Sequence, residues 1–159
     1  MKIDPSWRIL TVGDGDCSFS LSLLEHYRPA KLVVSVYDSF QQLISKYGDT
    51  NVRQLQEKNI QLITEFDVRE QNSWRTLPEK QFDVVIFQFP LLANFNSKEE
   101  FDKAVGTSVN LLNRHMLRSY LKNSFDHFLD PYGERLALIT SKDVKPYLEW
   151  NIEGSLAQN

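Results

Sequence analysis

The tightest constraint on what this chain can fold into is the stretch Ile9-Leu10-Thr11-Val12-Gly13-Asp14-Gly15-Asp16-Cys17-Ser18-Phe19-Ser20. A buried-strand pattern runs there into a glycine turn and on into a helix. Two glycines at alternate positions let the backbone turn tightly and come close to a ligand, while the following helix aims unpaired amide hydrogens at the same spot. The pattern predicts a cofactor loop; its plain alternative is a strand-to-helix turn with no ligand. Ser18 takes the place of the third glycine of the dinucleotide fingerprint, so the helix can still approach closely but the motif is not complete. Charge narrows the ligand further. Asp14 and Asp16 flank Gly15 and would repel a bound pyrophosphate. A cation suits such a loop, and S-adenosylmethionine, with a sulfonium and an ammonium, is expected there ahead of NAD or ATP.

Further along, β-branched runs alternate with helical patterns. Strands are expected at residues 8–12, 31–37, 60–66, 82–90 and 134–140. Helices are expected at 18–27, with Phe19, Leu23 and Leu24 inward, from 39 in two pieces broken at Tyr47-Gly48-Asp49, at 72–77, and at 108–129. In the last of these Leu117, Leu121, Phe125 and Phe128 form the inward stripe. Such alternation predicts an α/β fold, a doubly wound, mostly parallel sheet in the order 3-2-1-4-5 with its crevice over strands one and four. Acids then fall at three successive strand ends: the Gly13 to Asp16 turn, Asp38 and Asp67. On one rim of a parallel sheet, Asp38 could accept from both hydroxyls of an adenosyl ribose and Asp67 from the adenine amine. Each has a plainer alternative as a helix cap or turn residue. Strand four ends in Gln88-Phe89-Pro90, an amide and an aromatic face stiffened by proline, suited to a planar nitrogen-containing substrate or to a simple strand exit.

Residues 91–107 form a long connection of the kind that serves as a lid, with a capping box at Ser97-Lys98-Glu99-Glu100. After strand five, a helix is expected from Leu148, and Lys142, Lys145, Tyr147 and Trp150 could make a small substrate patch. Strand five carries Leu136, Ala137, Leu138 and Ile139 with charge only at Glu134 and Arg135, a poorly guarded edge. Something is expected to cover it: the C-terminal segment, missing residues of a longer parent, or, as the preferred reading, a second copy of the chain or another chain.

The 159 residues, 42% hydrophobic and 25% charged, suit one domain over residues 1–159. A net charge of −3 gives no overall electrostatic footprint for nucleic acid. The single Cys17 allows no internal disulfide, and His26, His115 and His127 lack metal-ligand spacing, so no metal is expected. With neither a signal-peptide pattern nor a long apolar run, a soluble, intracellular protein is expected.

The run Val12-Gly13-Asp14-Gly15-Asp16-Cys17-Ser18-Phe19-Ser20 resembles the opening motif of the Rossmann-like class I methyltransferase family typified by the eukaryotic large-subunit rRNA uridine-N3 methyltransferase. Phe87-Gln88-Phe89-Pro90 is similar to that family's Phe-Asn-Phe-Pro, and Asn113-Arg114 and Trp150-Asn151-Ile152 also look like family signatures. The resemblance implies a methyltransferase using S-adenosylmethionine, with an RNA base such as uridine N3 in rRNA as substrate. Gly13, Asp14, Gly15 and Asp16 would hold the methionine part of the cofactor, Asp38 the ribose and Asp67 the adenine. Gln88 and Phe89, with Pro90 beside them, would meet the target base. No residue is identified as the general base. Against the family's usual seven strands the sequence supplies five, so the last two are expected to be absent and a C-terminal truncation stays open. Two other functions stay open as well: a small-molecule or protein methyltransferase, and an inactive methyltransferase-like module that binds or assembles.

Overall fold

The computed structural model of the chain describes residues 2–90 and 109–141. Five strands, β1 (Arg8–Val12), β2 (Lys31–Ser35), β3 (Gln61–Ile63), β4 (Val84–Gln88) and β5 (Leu136–Thr140), form one sheet in the order β3-β2-β1-β4-β5. Every pairing is parallel. This is the expected α/β architecture, a doubly wound, Rossmann-like sheet.

Parallel strands must be covered on both faces, and side chains alternate between them. Leu10, Val12, Val33, Val85 and Phe87 pack on one face against Leu117, Tyr120 and Phe128. Ile9, Val34, Val84 and Ile86 pack on the other against Leu21, Leu43, Val52 and Leu55. Helices α1 (Ser18–Tyr27), α2 (Phe40–Tyr47) and α3 (Thr50–Glu57) cover the second face. The short α4 (Gln71–Trp74) and the long α5 (Val109–Asn123) cover the first. On the rim where β1 and β4 begin, Arg8 forks onto both oxygens of Asp83 (Nε to Oδ2 3.0 Å, Nη2 to Oδ1 3.1 Å) and reaches Asp130 at 2.9 Å. That cluster rivets the bottom of the sheet to the turn before β5.

Most strands are shorter than their apolar runs suggest. Val36 and Phe66 are buried beyond the ends of β2 and β3, but Glu65 turns the chain at φ +56° and ends the ladder. Phe89 at φ +42° ends β4 in the same way, and Arg135 at φ +56° delays the start of β5. In α1 the buried residues are Ser20, Leu21 and Leu23, with Phe19 and Leu24 only half-buried. Ser20 faces β1 because its hydroxyl meets that of Thr11 at 2.7 Å, a small buried pair that lets helix and strand backbones lie close. The expected stripe of the long helix also shifts. After Asn123 a single π-helical turn, Ser124–Phe128, widens the spiral. It leaves Phe125 at the surface and brings Ser124 and Phe128 inward, on the side of the buried Leu117 and Tyr120.

Asn113 and Arg114 lie within α5. The connection 91–107, Lys142, Lys145, Tyr147 and Trp150, the Trp150-Asn151-Ile152 signature and the helix expected from Leu148 lie outside the described residues. Among the described residues no helix is long and apolar enough to cross a membrane.

Candidate functional site

The strand order reverses between β1 and β4, so the chain leaves these neighbours toward opposite sides and a crevice opens at their carboxyl ends. A cleft of about 580 Å³ lies there. The β1–α1 turn contributes Gly13, Asp14, Gly15 and Asp16, and the first turn of α1 adds Ser18 and Phe19. Gln88 and Phe89 come from the end of β4, Thr140 from the end of β5, and Tyr47 from the last residue of α2.

Gly13 holds φ at +70°, and a Cβ there would stand 2.7 Å from Cε2 of Phe87, so both the turn and the packing require glycine. The two acids of the turn are spent largely on the chain itself. Asp14 is buried, and its Oδ2 accepts the Ser20 amide at 2.7 Å. Burial pushes its carboxyl up, against the pull of the Ser20 hydrogen bonds. Asp16 Oδ1 accepts the amide of Ser18 at 3.0 Å and its hydroxyl at 2.6 Å, and the hydroxyl contact above all holds this carboxyl below the usual range. First-turn amides that could cradle a phosphate are therefore occupied by carboxylates. After the two acids, Cys17 sits fully buried in the left-handed region (φ +67°). Burial, and then the charges of Asp14 and Asp16, push its thiol up to about 12.

Across the cleft, Gln88 is buried and its Oε1 has no hydrogen-bond partner among the described residues. The next residue, Phe89, is held at a positive φ while its amide donates to the Thr140 carbonyl at 2.9 Å, and its ring stays exposed. A buried acceptor beside a backbone conformation unfavourable for phenylalanine marks this strand end as a candidate site. Pro90 is buried and does not line the cleft.

Asp38 and Asp67 stand beyond the ends of β2 and β3 on the same rim, outside the lining of the cleft. Asp38 is not the cap of α2. Ser39 is, in a reciprocal capping box with Gln42. Asp38 instead accepts from Lys46 Nζ through both oxygens, at 3.0 and 3.1 Å. Asp67 accepts from the Arg69 guanidinium at 3.0 and 2.8 Å and from the Arg69 amide at 2.9 Å. Burial would raise its carboxyl, but the Arg69 hydrogen bonds outweigh this and hold it below the usual range.

The structure thus brings Gly13, Asp14, Gly15, Asp16, Gln88 and Phe89 around one cleft and leaves Asp38, Asp67 and Pro90 outside its lining. It adds Tyr47, Ser18, Phe19 and Thr140, which sequence reasoning did not place there. The helix break at Tyr47-Gly48-Asp49 is legible in the sequence, but its delivery of Tyr47 to the glycine turn is not. Among the described residues no group of three or more His, Cys, Asp or Glu could hold a metal ion.

A family model described as rRNA (uridine-N3-)-methyltransferase BTM5-like matches residues 10–159. Two proteins of Arabidopsis thaliana are similar to the chain. "Uncharacterized protein At4g26485" is 27% identical over 165 residues, covering 96% of this chain and 75% of that protein. "Heavy metal-associated isoprenylated plant protein 41" is 30% identical over 149 residues, covering 92% of this chain and 27% of that protein. The chain therefore spans three quarters of the first relative and about a quarter of the second.

Proposed function

The chain belongs to the BMT5-like family of rRNA (uridine-N3-)-methyltransferases, and from that membership we propose that it transfers the methyl group of S-adenosylmethionine to a ring nitrogen of an RNA base, uridine N3 in rRNA. The observation that carries this reading is the lining of the cleft among the described residues: two carboxylates, three aromatic rings, and no lysine or arginine. Such a lining repels phosphate and attracts a cation with apolar shoulders, which is the chemistry of a methylsulfonium.

In this reading Gly13, Asp14, Gly15 and Asp16 surround the methionine part of the cofactor, Asp38 takes the ribose hydroxyls and Asp67 the adenine. The Lys46–Asp38 pair is no obstacle. The lysine end is half in solvent, and such pairs contribute about 0–1 kcal/mol, less than two charge-assisted hydrogen bonds from a ribose diol return. Gln88 offers its unpartnered Oε1 to a donor on the target base, and Phe89 presents its ring beside it. Methyl transfer to nitrogen asks the protein mainly for in-line positioning, with the reacting atoms roughly 3–3.5 Å apart. Walls set by glycine packing and by a backbone held at Phe89 provide that rigidity.

Isothermal titration with S-adenosylhomocysteine, followed by methyl transfer from labelled S-adenosylmethionine to rRNA and nucleoside analysis by mass spectrometry, tests the proposal. Saturable binding and N3-methyluridine are expected. No heat and no thermal shift at millimolar ligand would remove the cofactor assignment. Binding without transfer to RNA, but with transfer to an RNA-stripped extract, would reassign the substrate, and binding with no transfer at all would make the chain a binding module.

A further inference from the structure

Tyr47 is an aromatic residue that does little for the core: about half its surface is exposed. Yet its place is set from both sides. The residue before it, Lys46, bonds both oxygens of Asp38 beyond β2. Four residues after it, Asn51 Nδ2 donates to the Asp16 carbonyl in the β1–α1 turn at 2.8 Å. Between these two anchors Gly48 turns the chain at φ +75°, its amide held by the Ile44 carbonyl at 2.8 Å. The corner between α2 and α3 is thereby docked onto the glycine turn, and the Tyr47 hydroxyl lies 3.2 Å from where a Cβ on Gly15 would stand. With its hydroxyl end at the glycine turn, this half-exposed ring lines the same cleft as Asp14 and Asp16 and adds an aromatic surface to a space already favourable to positive charge.

We propose that the Tyr47 ring is a cofactor-binding surface that favours the positively charged sulfonium of the methyl donor over the neutral thioether left after transfer. The inference rests on the reading of the cleft as the S-adenosylmethionine site. Donor and product share the adenosyl group, the ammonium and the carboxylate, so a contact specific to the sulfonium separates them while ordinary packing does not. The cleft would then loosen its hold on that sulfur atom once the charge has gone, which assists product release.

The test is isothermal titration of the wild-type chain, Tyr47→Leu and Tyr47→Phe with S-adenosylmethionine and S-adenosylhomocysteine separately, with thermal melts as a check on folding. Tyr47→Leu is expected to weaken the donor about three- to tenfold, the range of a cation–π contact, and the product less than about twofold. Tyr47→Phe keeps the ring and is expected to keep both affinities. Equal losses for the two ligands in Tyr47→Leu overturn the proposal and make the ring ordinary packing. No loss for either overturns it by placing the ring outside the cofactor's reach. A wild-type chain that binds neither ligand overturns the cofactor reading itself, a failure visible before any substitution is made.

Discussion

Gln88 carries the most exposed commitment in this reading, because stability and activity should move in opposite directions when it is changed. The residue is 9% exposed and its Oε1 has no partner among the described residues, so the free protein bears the cost of a buried acceptor left unmade, about 1–3 kcal/mol. Methionine has nearly the same length and volume and carries no such group. Gln88→Met should therefore stabilise the free protein by roughly 1–2 kcal/mol. For a chain of this size that is a rise in melting temperature of about 2–8 °C. The same change removes the amide proposed to meet the target base, so turnover should fall by about tenfold or more while S-adenosylhomocysteine affinity stays within about threefold. Thermal denaturation by circular dichroism, product-analogue titration and methyl transfer, run on one preparation, read the three quantities. A lower melting temperature would refute the argument at its root: Oε1 would then have a partner in the free protein and would not be held for a ligand. A joint collapse of affinity and rate would instead make Gln88 a support of the cofactor pocket.

Three further outcomes are expected. Gly13→Ala must place a Cβ 2.7 Å from the Phe87 ring at a φ that favours glycine, so it should destabilise by roughly 2–5 kcal/mol, seen as an early denaturant midpoint. Asp38→Ala should weaken S-adenosylhomocysteine about tenfold or more, whereas Lys46→Met, which frees the same carboxylate, should leave its affinity unchanged or improved; equal losses in both would make the pair a structural brace. Asp83 is held below the ordinary aspartate value of 3.8 by the Arg8 guanidinium, so its contribution is fully present above that value and is lost as pH falls through its lower folded value. Acid denaturation should show this loss, and Asp83→Asn should flatten that limb of the stability profile while lowering stability near neutrality.

The sheet order was legible because β-branched runs such as Val33-Val34 and Val84-Val85-Ile86 alternate with helical patterns, which implies a doubly wound parallel sheet. The Gly13-to-Asp16 turn was legible because glycines and acids at that spacing leave few chemistries open. Other features depend on contacts that no local pattern carries. The spacing of Leu117, Leu121, Phe125 and Phe128 fits an uninterrupted α-helix, and nothing in it announces the π turn that leaves Phe125 at the surface. Asp38 reads as a cap or a ligand, and its partner Lys46 becomes visible only once α2 folds back along the rim. Tyr47 reaches the cleft through a corner pinned by Asn51 onto a carbonyl 35 residues earlier in the chain. Strand ends were overextended because apolar residues such as Val36 and Phe66 stay buried after the ladder has stopped.

The chain's only cysteine is the N-cap of a helix, a location that ordinarily sharpens a thiol into a nucleophile. Here its full enclosure, and then the two carboxylates beside it, reverse that tendency, and the thiolate is scarce at any physiological pH. Alkylating reagents and peroxide should pass it by in the folded protein. A probe attached through a new cysteine at an exposed position, Glu25 or Gln41 for example, should then report from that position alone, without the native thiol first being removed. Mass-resolved labelling in denaturant turns the same residue into a counter of unfolded molecules, since Cys17 becomes reactive only when the glycine turn around it comes apart.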